Sequence, residues 1–326
     1  MDIGKLPNEI LREKILRKIR KINEDVIVTP SIGEDCAAIK FDDEVCVVTT
    51  DPITAATKDI GKIGVIINSN DIASSGVRPI GITVTLLAPP NAKIEEIENI
   101  MDDIIKTCEG LNIDILGGHT EITDAVNRYI LSITAIGKGK NIVKTGGAKV
   151  GDDLIMTGYA GLEGTFILAN ELYDKLIFKV DKHILDKVKK MQPSISVLEV
   201  GLVAGKFGVN SMHDATEGGI LGAIWEVAAS SGKGVYVYKD KIPMLEETKS
   251  ICNALGLDPY RLISSGAMLI STSKGEELLN IFKEKGIHAS IIGKITEKDI
   301  ILNDGGKEIE IKEPSSDEIY KAFKED

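Results

Sequence analysis

The chain has 326 residues, 43% of them hydrophobic and 27% charged, with a net charge of −11. That length suits two domains better than one, and the acidic balance argues against nucleic acid or an anionic membrane as partner. No apolar run approaches the roughly 20 residues of a membrane span, and the first residues lack the apolar core of a signal peptide, so a cytoplasmic location is expected.

Residues 7–22 read as an amphipathic helix, with Pro7 in the first turn and Ile10, Ile15 and Ile19 near one face. Residues 35–50 read as two strands joined by the acidic turn Asp42-Asp43-Glu44. A helix is predicted over 59–76, capped by Asp59 and stopped by Gly76. Residues 80–88 alternate, Ile82, Val84 and Leu86 against Thr83, Thr85 and Leu87, as a half-buried strand does. A second helix over 92–111 and a strand over 128–137 complete the first unit. Gly146-Gly147 marks the boundary. Beyond it, strands are predicted at 153–157, 234–238, 267–271 and 288–293. Helices are predicted near 163–173, 183–191, 194–207, 218–231 and 275–285, which makes a second α/β unit. Asn303-Asp304-Gly305-Gly306 reads as a hairpin turn, and the charged tail after Pro314 as helical.

Cys36, Cys46, Cys108 and Cys252 show no C-x-x-C spacing, so they are expected as thiols rather than zinc ligands or disulfides. The chemistry lies in the acids. Asp35, Asp51, Asp71 and Asp214 are short carboxylates set in apolar or glycine-rich sequence. Asp71 falls on the stripe of Ile60, Ile63 and Ile67, where a charge needs a cation or hydrogen-bond donors; Asn70 beside it offers a neutral oxygen. Asp35 follows Gly33-Glu34, and Asp51 closes a strand before Pro52, although Gly-Glu-Asp and Asp-Pro are also ordinary turn sequences. Gly117-Gly118-His119-Thr120-Glu121 follows an apolar run; its glycines could turn backbone amides toward an anion, or it is a structural turn. Asp214 and Thr216 precede Gly218-Gly219 at the start of a helix, which suits either an anion or plain capping. Lys58 and Lys62 flank the start of the first-unit helix. Several carboxylates without matching Lys or Arg suit Mg²⁺ carrying substrate phosphates.

In this order the motifs resemble the ATP-binding superfamily that includes aminoimidazole ribonucleotide (AIR) synthetase, selenophosphate synthetase, thiamine-monophosphate kinase and the hydrogenase maturation factor HypE. Asp59-Ile60-Gly61-Lys62, Asn70-Asp71-Ile72-Ala73 and Gly76-Val77-Arg78-Pro79 are similar to the first-domain signature of HypE. Met212-His213-Asp214-Ala215-Thr216-Glu217-Gly218-Gly219 is similar to its second-domain signature. The resemblance implies a two-domain PurM-like α/β (α+β) fold, residues 1–148 and 149–326, with the first domains of a homodimer forming a β-barrel between them. It implies ATP in the cleft, its phosphates bridged by Mg²⁺ to Asp35, Asp51 and Asp71; Glu121, from its own motif, is a further candidate metal ligand. Asp35, Asp71 and His119 are the candidate catalytic residues. Lys62, Asn70, Gly117, Gly118, Thr120, Asp214, Thr216, Gly218 and Gly219 are the candidate nucleotide contacts.

The implied reaction uses ATP to phosphorylate or activate an acceptor, either a small molecule or a group borne by a protein. A thiamine-monophosphate-type kinase and a non-catalytic nucleotide-binding maturation partner are the alternatives. HypE modifies its own C-terminal cysteine, whereas this chain ends Phe323-Lys324-Glu325-Asp326 and its last cysteine is Cys252. His119 stands where HypE and the kinase carry Asp, and Glu217 where HypE carries Arg.

Overall fold

The computed structural model describes residues 7–53, 59–191 and 195–323. The first unit is a six-stranded sheet of β1 (Val26–Val28), β2 (Ala37–Phe41), β3 (Glu44–Ile53), β4 (Arg78–Ala88), β5 (Asp114–Ile122) and β6 (Ile130–Gly139). Its order is β1-β2-β3-β6-β4-β5, and the β4–β5 pair is parallel while the others are antiparallel. After the short α1 (Asn8–Ile10), the main helices are α2 (Ile60–Ser74) and α3 (Ile94–Leu111), which pack on each other. The alternation in β4 is realised: Ile82, Val84 and Leu86 enter the core with Val47, Leu131, Ile133 and Ala135, while Thr85 faces out. α2 is buried on nearly every side because it lies between this sheet and the second unit.

The second unit is a seven-stranded sheet of β7 (Asp153–Thr157), β8 (Ser211–Ala215), β9 (Gly234–Tyr238), β10 (Ala267–Thr272), β11 (Ala289–Thr296), β12 (Ile300–Asp304) and β13 (Lys307–Glu310). Its order is β13-β12-β9-β11-β7-β10-β8, with β12–β9 parallel. Its helices are α4 (Leu162–Glu171), α5 (Tyr173–Leu176), α6 (Lys182–Lys190), α7 (Leu198–Phe207), α8 (Gly219–Ser231), α9 (Glu246–Leu255), α10 (Gly275–Glu284) and α11 (Ile319–Ala322). α8 packs against β8 and carries Ile220, Ala223, Ile224 and Val227 into the core. The fold is thus a mixed α/β arrangement of two units with two mixed sheets. Among the described residues neither sheet closes into a barrel.

The units are held together by α7 against α2. A Cβ on Gly201 would lie 2.1 Å from the Ala73 carbonyl oxygen, so the two helices touch backbone to backbone there. The side chain of Asn70 crosses the same seam: its Nδ2 donates to the Ile195 carbonyl at 2.7 Å, and its Oδ1 accepts from the Val197 N–H at 2.8 Å. Gly201→Ala is expected to cost about 1–3 kcal/mol by overpacking and to lower the melting temperature by about 3–10 °C, measurable in a thermal melt.

Several expectations are corrected. The N-terminal helix runs irregularly through Lys18, and Ile10, Ile15 and Ile19 remain exposed because nothing in the described chain packs on them. Asp59 precedes α2 in a left-handed conformation (φ 54°) and makes no side-chain cap; caps ordinarily need extended backbone to reach the first free amides. After Pro314 only Ile319–Ala322 is helical. The hairpin turn at 303–306 forms as expected, between β12 and β13. Lys58 lies outside the described residues.

Candidate functional site

The chain folds so that Asp35, Asp51, Asp71 and Asp214 line one cavity of about 320 Å³. Asp35 precedes β2, Asp51 stands near the end of β3, Asp71 lies in the last turns of α2, and Asp214 is on β8 of the second unit. Glu34, Glu226, His213 and Thr216 line it too, so among the described residues the wall has six carboxylates and neither Lys nor Arg. Asp71 is buried and accepts a 2.7 Å hydrogen bond from the Thr49 hydroxyl on Oδ2. Ser74 donates to Asp35 Oδ2 at 2.9 Å. Asn68 turns its Oδ1 to the Asp51 N–H at 3.0 Å, which fixes the strand end that carries Asp51.

His213 is the residue that sequence reasoning passed over. It is buried on β8, with Nδ1 2.9 Å from Asp35 Oδ1 and Nε2 2.8 Å from Glu226 Oε2. It therefore bridges the first unit to α8. Burial opposes its charge, yet the two carboxylates outweigh burial and hold its pKa well above the ordinary histidine value. In the sequence His213 stands only as the neighbour of Asp214. Only the fold reveals its partners, because Asp35 is 178 positions away in the chain.

The carboxylates repel one another. Burial pushes the Asp71 carboxyl well above its ordinary pKa, and Asp214, Asp51 and Asp35 push it further. Burial, then Asp35, raises Glu34 to about 7. The Cys36 thiol, 3.1 Å from the Asp71 carbonyl, is pushed up by burial and then by the surrounding acids. Glu34 has a folded-state pKa above its unfolded value, so its stabilising contribution is complete below the ordinary carboxylate range and is lost as pH rises through about 7. The upward shifts of Asp71 and His213 have the same sign. The ligand-free protein is therefore expected to lose stability between pH 5 and 8, and Glu34→Gln to flatten that slope. Chemical denaturation across this range checks both.

The remaining predicted residues lie elsewhere in the chain. Gly117, Gly118, His119, Thr120 and Glu121 form part of β5, the exposed edge strand, and not an anion-binding turn. A Cβ on Gly118 would sit 2.0 Å from the Val84 carbonyl oxygen, so this glycine is explained by close strand pairing. His119 Nε2 lies 3.2 Å from Glu121 Oε2, both exposed. Asn70 is committed to the inter-unit seam, and Lys62 is exposed on α2 outside the cavity wall. Thr216 does line the cavity, but the amide of Gly218 donates to Asp317 Oδ2 at 2.7 Å. Gly219 is pressed against the backbone of Tyr260, Arg261 and Leu262. The start of α8 thus already faces a carboxylate from its own chain.

Comparison with known proteins places this geometry. The family models for the N-terminal and C-terminal domains of AIR synthase related protein match residues 33–138 and 149–303. A Methanocaldococcus jannaschii protein named for hydrogenase expression/formation is 31% identical over 312 residues, covering 90% of this chain and 89% of that protein. The chain belongs to the AIR synthase related protein family. Among solved structures, a HypE–HypF complex matches with TM-score 0.72 and 22% identity over 86% of this chain and 93% of that one. Hydrogenase maturation protein HypE in complex with ATP matches with TM-score 0.69 and 17% identity over 96% of each chain. These likenesses show the two-domain PurM-like fold. No helix among the described residues is long and apolar enough to cross a membrane.

Proposed function

We propose that this member of the AIR synthase related protein family is an ATP- and Mg²⁺-dependent enzyme. It would use ATP to phosphorylate or activate a small-molecule or protein-borne acceptor. The observation that carries this is the convergence of Asp35, Asp51, Asp71 and Asp214, from both units, on one cavity whose wall, among the described residues, has no Lys or Arg. Hard oxygen donors in that number suit Mg²⁺. The upward shift of Asp71 fits, because its causes are burial and then the negative neighbours Asp214, Asp51 and Asp35. Asp35 and Asp214, whose ligand atoms come within 4.8 Å of each other, would hold the metal, with Asp51 and Asp71 on the same wall, and the metal when bound neutralises phosphate charge. His213 would not be a ligand, since both ring nitrogens face carboxylates; it would orient Asp35 and keep the two units in register. Thr49 and Ser74 would aim Asp71 and Asp35. Positioning and charge balance, rather than a covalent intermediate, are what such a wall supplies. The HypE neighbour solved in complex with ATP supports the nucleotide.

Residues 1–148 would carry the nucleotide domain and 149–326 the second domain. We further propose a homodimer. β5 is exposed along its whole length and carries Ile115, Leu116 and Ile122 on an open sheet edge, which isolated domains ordinarily protect. The face bearing Thr50, Thr85 and Thr134 is uncovered by helices, as the inside of a barrel shared with a second copy would be. Such pairing is the route by which Gly117, Gly118, His119, Thr120 and Glu121 would reach a nucleotide. The HypE–HypF neighbour makes a protein-borne acceptor the case to try first. Phosphate release from ATP should be followed with purified protein alone, with thiamine monophosphate and with cell extract. Magnesium-dependent release abolished by Asp35→Asn supports an enzyme. Tight nucleotide binding without release under all three conditions would support the non-catalytic partner instead.

A further inference from the structure

A second cavity, about 540 Å³, lies in the second unit and shares no lining residue with the carboxylate cavity. Its character is opposite. Leu221, Met244, Leu302 and Ile311 supply apolar wall, Tyr260 supplies a ring, and Lys239, Lys249 and Arg261 supply three cations against the two carboxylates Asp258 and Glu310. In a chain of net charge −11 this is an unusual local balance.

The cations are not equivalent. Lys239 Nζ is 2.5 Å from Asp304 Oδ2 and 5.5 Å from the centre of the Tyr260 ring. Lys249 Nζ is 2.7 Å from Glu246 on the outer surface of α9. Asp258 spends one oxygen on the Tyr260 N–H at 3.0 Å, which holds the turn. Arg261 is half-buried, and among the described residues its guanidinium has neither an ion pair nor a hydrogen bond. A planar fork of donors left without a carboxylate, beside an aromatic ring and an apolar wall, suits a planar apolar ligand with an anionic head. The volume falls within the range of small-molecule sites.

The turn that builds this cavity also touches the start of α8. The Tyr260 carbonyl accepts the Leu221 N–H at 3.1 Å, and the Thr216 carbonyl accepts the Ser264 N–H at 3.3 Å. Thr216 lines the carboxylate cavity and Leu221 the second one, so one short backbone segment contributes to both walls.

We propose that this cavity is a binding site for a heteroaromatic monophosphate, its ring against Tyr260 and Met244 and its phosphate on Arg261. The site is separate from the carboxylate cleft and does not depend on nucleotide chemistry there. Calorimetric titration in EDTA, which removes magnesium from the cleft, tests it with adenosine monophosphate, thiamine monophosphate and pyridoxine phosphate as ring-bearing probes. Inorganic phosphate and adenosine are the half-ligand controls. At least one ring-bearing phosphate should bind tenfold or more tightly than either half. Arg261→Ala should weaken it at least tenfold, and Asp71→Asn should leave it unchanged. Arg261→Lys, which keeps the charge but loses the fork, and Lys249→Ala, on an exposed helix face, serve if Arg261→Ala does not fold; the first should weaken binding at least threefold. Three results would each overturn the proposal: no ring-bearing phosphate binding to the wild type, affinity unchanged in the Arg261 variants, or loss of binding in Asp71→Asn.

Discussion

Asp71→Asn is expected to raise the melting temperature of the ligand-free protein by a few degrees while weakening magnesium–nucleotide binding by about 100-fold or more. The two effects have one cause. Asp71 is buried, and its charged form is opposed first by burial and then by Asp214, Asp51 and Asp35. Asparagine keeps the shape and still accepts the Thr49 hydroxyl through its carbonyl oxygen, but it carries no charge to be repelled. Removing a poorly compensated buried charge of this kind is worth about 1–2 kcal/mol, or a few degrees. The same charge is what a divalent cation needs. Since loss of a group that merely supports a metal ligand typically costs 10–100-fold in affinity, loss of a ligand should cost at least as much. Thermal melts and titrations on the same preparation separate this outcome from simple misfolding, which would lower both. It is a stability–function trade-off of the kind expected where a site stores electrostatic strain.

His213→Leu should act in the opposite direction on stability. The imidazole stands between Asp35 and Glu226 at 2.9 and 2.8 Å. Its removal leaves two largely buried carboxylates without the cation that joined them. Breaking a buried pair costs about 3–5 kcal/mol, and residual solvent at both acids puts the expected loss near the lower figure, about 6–12 °C in melting temperature. Magnesium with nucleotide should restore part of it, because the metal replaces the imidazolium as partner of Asp35. A loss of the same size with and without magnesium–nucleotide would mean that His213 serves only packing. His213→Leu combined with Glu226→Leu should recover more stability than the single change, since one stranded charge is then gone.

How much of this was legible in the sequence differs from residue to residue. Asp71 is legible as a charge in a largely apolar helix, and the structure buries it; the stripe itself is not the buried face, since Ile63 and Ile67 are half-buried while Val65, Ile66 and Ile72 are buried. The strand alternation at Ile82, Val84 and Leu86 is legible for the same reason, since period-two burial is local information. The pairing of His213 with Asp35 is not, because no local pattern reports a contact across 178 residues. Asn70 shows a different limit: an amide beside a candidate metal ligand reads as a further ligand, whereas the fold uses both its ends to tie Ile195 and Val197 to α2. The Gly117-Gly118 pair reads equally as an anion cradle and as a structural turn, whereas within one chain it lies in a strand and close contact with Val84 explains Gly118. Asp317 went unnoticed because its role depends on a return of the chain to α8 from 99 residues away. β8 and α9 were missed as well. β8 is short and bears His and Asp.

The central claim is that the aspartate cavity holds a nucleotide through magnesium. Calorimetric titration of the wild-type protein with a non-hydrolysable ATP analogue, in matched buffers containing magnesium or EDTA, tests it most directly. Binding at one site per chain that appears only with magnesium is the predicted result. Equal affinity in the two buffers, or no binding in either, would contradict it.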